Sequence, residues 1–250
     1  MTFDLAFFAV AIPAVLLAGV SKGGFASGAA FAATPILALV IPPGQALGLM
    51  LPLLMLMDAA TLRPYWKRWD GAASRILILG GIPGVVLGAA VWRLVDADLI
   101  RLLIGVIAIG FVAFQVARMT GLLRIAQRPM GPVAGLAAGA AAGFTSFVSH
   151  AGGPPAAVYL LMKGIGKTPY QATTVIVFWA INIVKVIPFL FLGIFTADTL
   201  LGSLMLAPVA LVGARLGVKA HHLLPEGPFF ALTYVLLVLT GAKLVFDALV

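Results

Sequence analysis

Long apolar runs separated by short polar connections dominate the chain. Six runs approach the ~20 residues that a helix needs to cross a bilayer; they cover 44–62, 75–92, 99–117, 171–192, 199–215 and 229–247. Two longer apolar stretches, 3–41 and 131–162, are each interrupted near the middle by glycine-rich residues, at 19–24 and 149–154. The pattern predicts six spanning helices and two broken stretches, each either two short spans or a re-entrant hairpin.

The composition makes the class of protein clear. The chain has 250 residues, of which 62% are hydrophobic and 10% charged, and its mean hydropathy is +1.15, far above that of soluble proteins. An all-α polytopic membrane protein, in contact with the lipid bilayer, is therefore expected. The net charge of +8 comes mainly from connections between apolar runs, as positive-inside topology requires, so we expect no nucleic-acid partner.

The basic residues also predict the topology. Connections 63–75, 118–128 and 215–219 are basic and are expected in the cytoplasm, whereas 93–98 and 193–198 carry aspartates. Because the connection after 131–162 is basic as well, that stretch is predicted to enter and leave by the cytoplasmic face as a re-entrant hairpin. A matching hairpin at 3–41 places the N-terminus outside, and the last span does the same for the C-terminus. The N-terminal apolar run follows Asp4 rather than basic residues, so we expect it to be a membrane segment that is kept and not a signal peptide that is cleaved. The expected location of the protein is the cell inner membrane.

The two halves resemble one another. Pro43-Gly44-Gln45-Ala46 follows the first interruption, Pro169-Tyr170-Gln171-Ala172 follows the second, and Pro83 with Gly88 matches Pro208 with Gly213. Each half would hold a broken or re-entrant hairpin plus three transmembrane helices, which is an odd number of crossings, so the copies must be inverted. We predict one transport domain over 1–250, with repeat 1 at about 1–117, a cytoplasmic link at 118–130 and repeat 2 at about 131–250, and a site near the midplane.

Two converging hairpin tips would make an anion site. A tip exposes the first backbone amides of the helix that follows, and the helix dipole favours an anion there. Ser27 and Ser149 are candidate N-caps, and Pro154 suits a first helical turn. The alternative is that the glycines only allow close helix packing. The substrate-binding candidates are Ser21, Lys22, Gly23, Gly24, Ser149, His150, Gly152, Gly153, Asn182 and Lys185.

Ionisable residues inside apolar runs sharpen this hypothesis, because a charge at the bilayer centre needs a partner. A bound anion would serve Lys22, which could otherwise snorkel to the surface. Lys185 shares a helical face with Asn182 and would contact an anion or switch partners; its alternative is a permanent pair with Asp58. Asp58 and His150 are candidates for coupling or gating by proton binding, although His150 could equally cap local backbone.

Several chemistries are excluded. The chain has no cysteine, and its three histidines lack a metal-ligand spacing, so neither a metal nor another cofactor is expected. Ser146, Ser149 and His150 do not form a nucleophile elbow, and Lys22-Gly23-Gly24 lacks the spacing of a phosphate-binding loop. We therefore expect a protein that is neither an enzyme nor an ATPase.

Specific motifs then resemble those of the sulfite exporter TauE/SafE family of membrane permeases. They are the first glycine-rich segment with Thr34-Pro35-Ile36-Leu37, the second with Gly152-Gly153-Pro154-Pro155, and Gln171-Ala172-Thr173 leading to Asn182. The resemblance implies a secondary transporter for a small sulfur-containing anion such as sulfite or an organosulfonate, working by alternating access. A passive anion channel of the same fold and a non-transporting scaffold subunit are the alternatives. The direction of transport, the coupling ion (proton or sodium) and the oligomeric state stay open.

Overall fold

The computed structural model describes residues 1–24, 29–123, 131–220 and 226–250. Regular structure in these ranges is helical, which confirms the predicted all-α class, and includes a short 3-10 turn at Ala29–Ala32. The helices are α1 (Leu5–Gly24), α2 (Ala33–Leu37), α3 (Pro43–Leu62), α4 (Gly71–Trp92), α5 (Ala97–Met119), α6 (Pro132–Ser149), α7 (Gly153–Met162), α8 (Lys167–Phe191), α9 (Ala197–Ala220) and α10 (Glu226–Leu249).

Eight helices in the described ranges are long and apolar enough to cross a membrane. Six of them correspond to the six predicted spans, and the other two are α1 and α6, with 20 and 18 residues. In contrast, α7 has 10 residues, and at ~1.5 Å per residue it is about half as long as the ~30 Å hydrocarbon core is thick. The second predicted hairpin therefore has one long arm and one short arm.

Polar residues at the ends of the apolar runs define where helices begin. The carboxylates of Asp70 and Asp96 accept hydrogen bonds from the amides of Ala73 and Leu99, each at 2.8 Å, and so cap α4 and α5. Such caps are worth about 0.5–2 kcal/mol each. They explain why the aspartates stand at these connections.

The two predicted interruptions have different outcomes. The second is confirmed, because α6 ends at Ser149 and α7 begins at Gly153. The predicted position of the first is wrong, because residues 19–24 are the last turns of α1. The next described element begins at Ala29, so the candidate N-cap Ser27 lies outside the described residues, as do Arg124 and Arg128 of the central link.

Glycines bring four helices into close contact. Gly19 and Gly23 of α1 lie against Gly213 and Gly217 of α9, and a Cβ atom added to Gly23 would lie 2.2 Å from the carbonyl oxygen of Ala214. The same arrangement joins α4 to α6 through the pairs Gly80, Gly84 and Gly139, Gly143. Four-residue glycine spacing is typical of membrane helices whose backbones touch.

Helices of the two halves pack mainly against each other. The first helix of each half lies along the third long helix of the other half, as α1 on α9 and α6 on α4. In addition, α3 packs on α8 and α5 packs on α10. The glycine-lined faces of α1 and α6 are thus covered by helices of the other half. This exchange suits two related units, and the inversion of the second one stays a prediction.

Candidate anion site

A small cavity lies where the end of α1 and the α6–α7 break approach α3 and α8. Its volume is about 50 Å³. Residues of both halves line it, namely Ser21, Lys22, Phe31 and Asp58 from the first and Ser146, His150, Gly153, Gln171, Phe178 and Asn182 from the second. The structure therefore brings the two glycine-rich segments to one cavity.

Lys22 and Asp58 form an ion pair at this cavity. Lys22 Nζ lies 2.9 Å from Asp58 Oδ1, and Asn182 Nδ2 donates a hydrogen bond to Asp58 Oδ2 at 3.0 Å. The Asp58 side chain is fully buried and that of Lys22 is 12% exposed, so Lys22 points inward instead of snorkelling. Both carboxylate oxygens have partners, which a buried charge requires. The predicted alternative of a permanent Asp58–Lys185 pair is wrong, because the direct partner of Asp58 is Lys22.

Lys185 is fully buried beside the second break. Its Nζ donates to the carbonyl oxygen of Ser146 at 2.7 Å and to Ser146 Oγ at 3.2 Å, and it lies 2.6 Å from His150 Nδ1. It also lies 5.5 Å from the centre of the Phe189 ring, a distance typical of a cation–π contact. These groups are uncharged, so they orient the ammonium without neutralising it.

The hydrogen bonds of His150 define its charge. His150 Nε2 lies 3.1 Å from the carbonyl oxygen of Leu47, and a carbonyl can only accept, so Nε2 carries the proton. Nδ1 is then the acceptor for Lys185 Nζ, and the imidazole is neutral. His150 therefore positions Lys185 and ties the second break to α3.

The backbone of His150 is unusual. Its φ of 58° and ψ of 11° lie in the left-handed region, which costs an L-residue about 1–2 kcal/mol. Its amide hydrogen-bonds to Ser146 O, and the amide of Ala151 to Thr145 O. This turn ends α6 and directs the imidazole at the cavity, so the strain is offset by the position it gives the ring.

The end of α1 does not offer backbone amides to an anion. Gly23 and Gly24 lie within the helix, so their amides point back along it, and their missing side chains allow contact with α9 at Ala214 and Gly217. The carbonyl oxygen of Gly23 accepts a hydrogen bond from Tyr65 at 2.9 Å. For these two residues, the packing alternative describes the geometry and the amide-donor prediction is wrong.

The α6–α7 break differs, because a helix begins there. Gly152 is the N-cap residue of α7 and Gly153 is its first residue, with Pro154 next in the first turn as predicted. Their amides have no acceptor within α7, and Gly153 lines the cavity. Ser149 does not cap α7, because it ends α6 and its hydroxyl donates to the carbonyl oxygen of Thr145 at 3.1 Å.

Sequence reasoning missed Gln171 and Ser146 as site residues. Gln171 Nε2 donates to the carbonyl oxygen of Lys22 at 2.7 Å and so holds the end of α1. Its Oε1 atom and Ser21 Oγ are buried at the cavity without a hydrogen-bond partner among the described residues, and buried polar atoms normally have one. The repeated Pro-x-Gln-Ala motif was the available signal for Gln171.

No cluster of His, Asp and Glu side chains in the described ranges could hold a metal ion.

An aromatic cluster covers one side of the polar residues. The Phe189 ring centre lies 5.2 Å from that of Phe147, 5.6 Å from Phe195 and 6.2 Å from His150, and Trp92 packs on Phe147 at 6.3 Å. Edge-to-face pairs at such distances are favourable. Trp92 and Phe195 lie next to connections 93–98 and 193–198, at one end of the helices. Gln171 lines the cavity from near the start of α8, at the other end.

Comparison with known proteins agrees with the membrane-embedded fold. No curated protein and no solved structure matches the chain. A family model described as sulfite exporter TauE/SafE matches residues 11–244, nearly the whole length. The chain therefore belongs to the sulfite exporter TauE/SafE family of membrane transport proteins.

Proposed function

We propose that this protein is a secondary permease that carries a small sulfur-containing anion, such as sulfite or an organosulfonate, by alternating access. The observation that carries the proposal is the cavity between the two halves, which is lined by Lys22 and Asp58. A second buried lysine, Lys185, contacts Ser146 and His150 of the cavity wall. Buried charges inside a membrane protein are expensive and mark ion pathways. A cavity with an excess positive charge attracts an anion.

The roles of the residues follow from their atoms. Lys22 and Lys185 supply positive charge, and the amides of Gly152 and Gly153 supply directional donors. Asn182 and Ser21 contribute side-chain polar atoms at the cavity wall. His150 positions Lys185, while Asp58 is the counter-ion that gates access to Lys22. Ser149, Gly23 and Gly24 support the helices around the site.

The size of the cavity favours an inorganic oxyanion over an organosulfonate. At about 10–15 Å³ for each water-sized group, a volume of about 50 Å³ holds about three to five such groups. Sulfite has four heavy atoms and fits, whereas a two-carbon sulfonate requires the cavity to expand. We expect tighter binding of sulfite in this conformation.

Polar contacts support the proposed topology in an inner membrane. Lys163 Nζ binds Asp70 Oδ2 at 2.9 Å, which joins connections 63–70 and 163–166, both expected in the cytoplasm. Partial burial opposes ionisation of Asp70, but hydrogen bonds from the Ala73 amide and Lys163 outweigh it and lower the pKa of Asp70. The α-amino group of Met1 binds Asp198 at 2.8 Å, which joins the N-terminus to connection 193–198, expected outside.

Alternating access then has a specific physical form. The cavity lies toward the cytoplasmic connections, and the cluster of Trp92, Phe147, Phe189 and Phe195 separates it from the outside connections. Separation of these rings, with the Asp70–Lys163 ion pair kept in place, would open the site outward. Because the halves pack through α1–α9 and α4–α6, rocking of these pairs is the expected motion.

Counterflow of sulfite in proteoliposomes tests the proposal. Liposomes loaded with unlabelled sulfite should accumulate labelled sulfite when they contain the wild-type protein. Lys185→Met should abolish the exchange, because the charges of Lys22 and Asp58 then cancel and the site has no excess positive charge to attract the anion. The matched control is Lys243→Met, which removes an exposed lysine of α10 and should leave the exchange unchanged.

Two outcomes contradict the proposal. A passive channel gives sulfite flux without accelerated exchange, and a scaffold subunit gives no flux and no sulfite binding. Exchange by Lys185→Met at the wild-type rate would contradict the assigned role of that lysine.

A further inference from the structure

The Asp58 carboxylate stands where a substrate anion would bind Lys22. Asp58 Oδ1 lies 2.9 Å from Lys22 Nζ, and both residues line the cavity. Lys22 Nζ is also 5.7 Å from the centre of the Phe178 ring, which forms another part of the same wall. An anion that binds Lys22 directly therefore competes with a carboxylate of the protein itself.

The charges of the site decide what happens to the displaced carboxylate. With Lys22 and Lys185 protonated, Asp58 ionised and His150 neutral, the site carries one excess positive charge. A divalent oxyanion would reverse this to one excess negative charge and leave the Asp58 carboxylate, which is fully buried, without its lysine. An uncompensated buried carboxylate costs several kcal/mol, and such a group takes up a proton instead.

We propose that a divalent oxyanion binds Lys22 in place of Asp58 and that Asp58 takes up one proton from solvent in the same step. The proton adds to Oδ1, the oxygen that Lys22 leaves, because Asn182 Nδ2 already donates to Oδ2. Lys22 keeps its own proton and transfers its hydrogen bond to the anion. This inference rests on the proposed function and deepens it, since one proton then accompanies each anion.

The neighbouring ionisable groups favour Asp58 as the proton acceptor. Lys22 on α1 and Lys185 on α8 face its carboxylate, and a lysine ammonium group has no lone pair that could accept a proton. The other possible acceptor is the unprotonated Nδ1 atom of His150, but it already accepts a hydrogen bond from Lys185 Nζ at 2.6 Å. A proton there would set two cations in contact. Asn182 lies between Asp58 and Lys185 and does not titrate.

Calorimetry on the purified full chain in detergent tests the inference with sulfate as the probe, because sulfate keeps two negative charges throughout the neutral range. Titrations in two buffers of different ionisation enthalpy count the protons taken up. The wild type should take up about one proton per sulfate, and its affinity should fall about tenfold for each unit of pH increase while Asp58 is ionised in the free protein.

Substitution of Asp58 isolates the group. Asp58→Asn should bind sulfate without proton uptake and with little dependence on pH. Asp58→Glu should retain the uptake with a shifted pH dependence, and it serves as the test variant if Asp58→Asn aggregates during size-exclusion chromatography. Asp98→Asn, which changes an exposed carboxylate of α5 paired with Arg101, is the matched control and should match the wild type.

Each outcome has a defined meaning. Sulfate binding by the wild type without proton uptake overturns the inference, and so does wild-type uptake in Asp58→Asn. If sulfite exchange occurs in proteoliposomes under those conditions, the proposed function stands without the proton coupling. Absence of both sulfate and sulfite binding overturns the proposed function together with the inference.

Discussion

His150 combines a strained backbone with two specific side-chain contacts, and the two contributions can be separated by substitution. His150→Ala keeps the left-handed strain and loses the ring, whereas His150→Gly loses the ring and relieves the strain. We expect His150→Gly to be more stable than His150→Ala by about 1–2 kcal/mol. Both should bind sulfite more weakly than the wild type, because Lys185 loses the acceptor that positions it. Thermal unfolding with and without sulfite measures both effects.

Equal stability of the two variants would contradict the assigned strain at position 150. Undiminished sulfite stabilisation in both would contradict the positioning role of the imidazole. The glycine variant is the informative control for the alanine variant, since the two lack the same ring and differ only at Cβ.

The sequence was sufficient to find single site residues but not their partners. Lys22, Asp58 and Lys185 stand out because ionisable residues are rare within apolar runs. Which lysine pairs with Asp58 depends on how far α1 extends toward α3, and that distance is a tertiary property. Gln171 and Ser146 are not ionisable and so do not stand out in this way. Their roles depend on tertiary contacts, with a carbonyl of α1 for Gln171 and with the ammonium of Lys185 for Ser146.

Helix contacts through glycine decide how closely the elements approach. A Cβ atom on Gly84 of α4 would lie 2.0 Å from the carbonyl oxygen of Ala140 on α6, so Gly84→Ala must push the helices apart. We expect a loss of about 1–3 kcal/mol of stability from such overpacking. In α5, Gly110 has no atom within 4 Å of an added Cβ, and Gly110→Ala should raise stability by about 0.4–1 kcal/mol through helix propensity.

Fluorescence-detected size-exclusion chromatography after heating compares the two variants with the wild type. The two variants should change stability in opposite directions, although both add one methyl group to a membrane helix. A Gly84→Ala protein as stable as Gly110→Ala would show that α4 and α6 are not in backbone contact.

At the level of elements, apolar length predicts six of the spans closely, whereas the glycines at 19–24 predict an interruption where α1 continues. Glycines at 19–24 look the same in sequence whether they interrupt a helix or face another helix. The choice depends on whether α9 presents Gly213 and Gly217 at matching positions. The second break could be predicted because Pro154 and Pro155 cannot continue α6.

The whole molecule is organised by contacts between its halves, which the sequence indicated only through short repeated motifs. Pro-x-Gln-Ala occurs at the start of both α3 and α8, and these helices pack together at the cavity. The exchange of α1 onto α9 and α6 onto α4 could not be derived from motifs, because helix partners depend on surface shape along whole helices. The direction in which each half crosses the bilayer still rests on the positive-inside rule.

Single-cysteine labelling tests that direction, and the chain has no cysteine of its own to interfere. Cysteine at Thr2 and at Leu94, which is 84% exposed, should react with an impermeant maleimide on intact cells. Cysteine at Arg68 and at Leu122, which is 87% exposed, should react only after permeabilisation, since these positions adjoin basic connections. Labelling of Thr2 only after permeabilisation would place the N-terminus in the cytoplasm. The Met1–Asp198 contact would then carry connection 193–198 to that side, and the inverted arrangement of the halves would have to be abandoned.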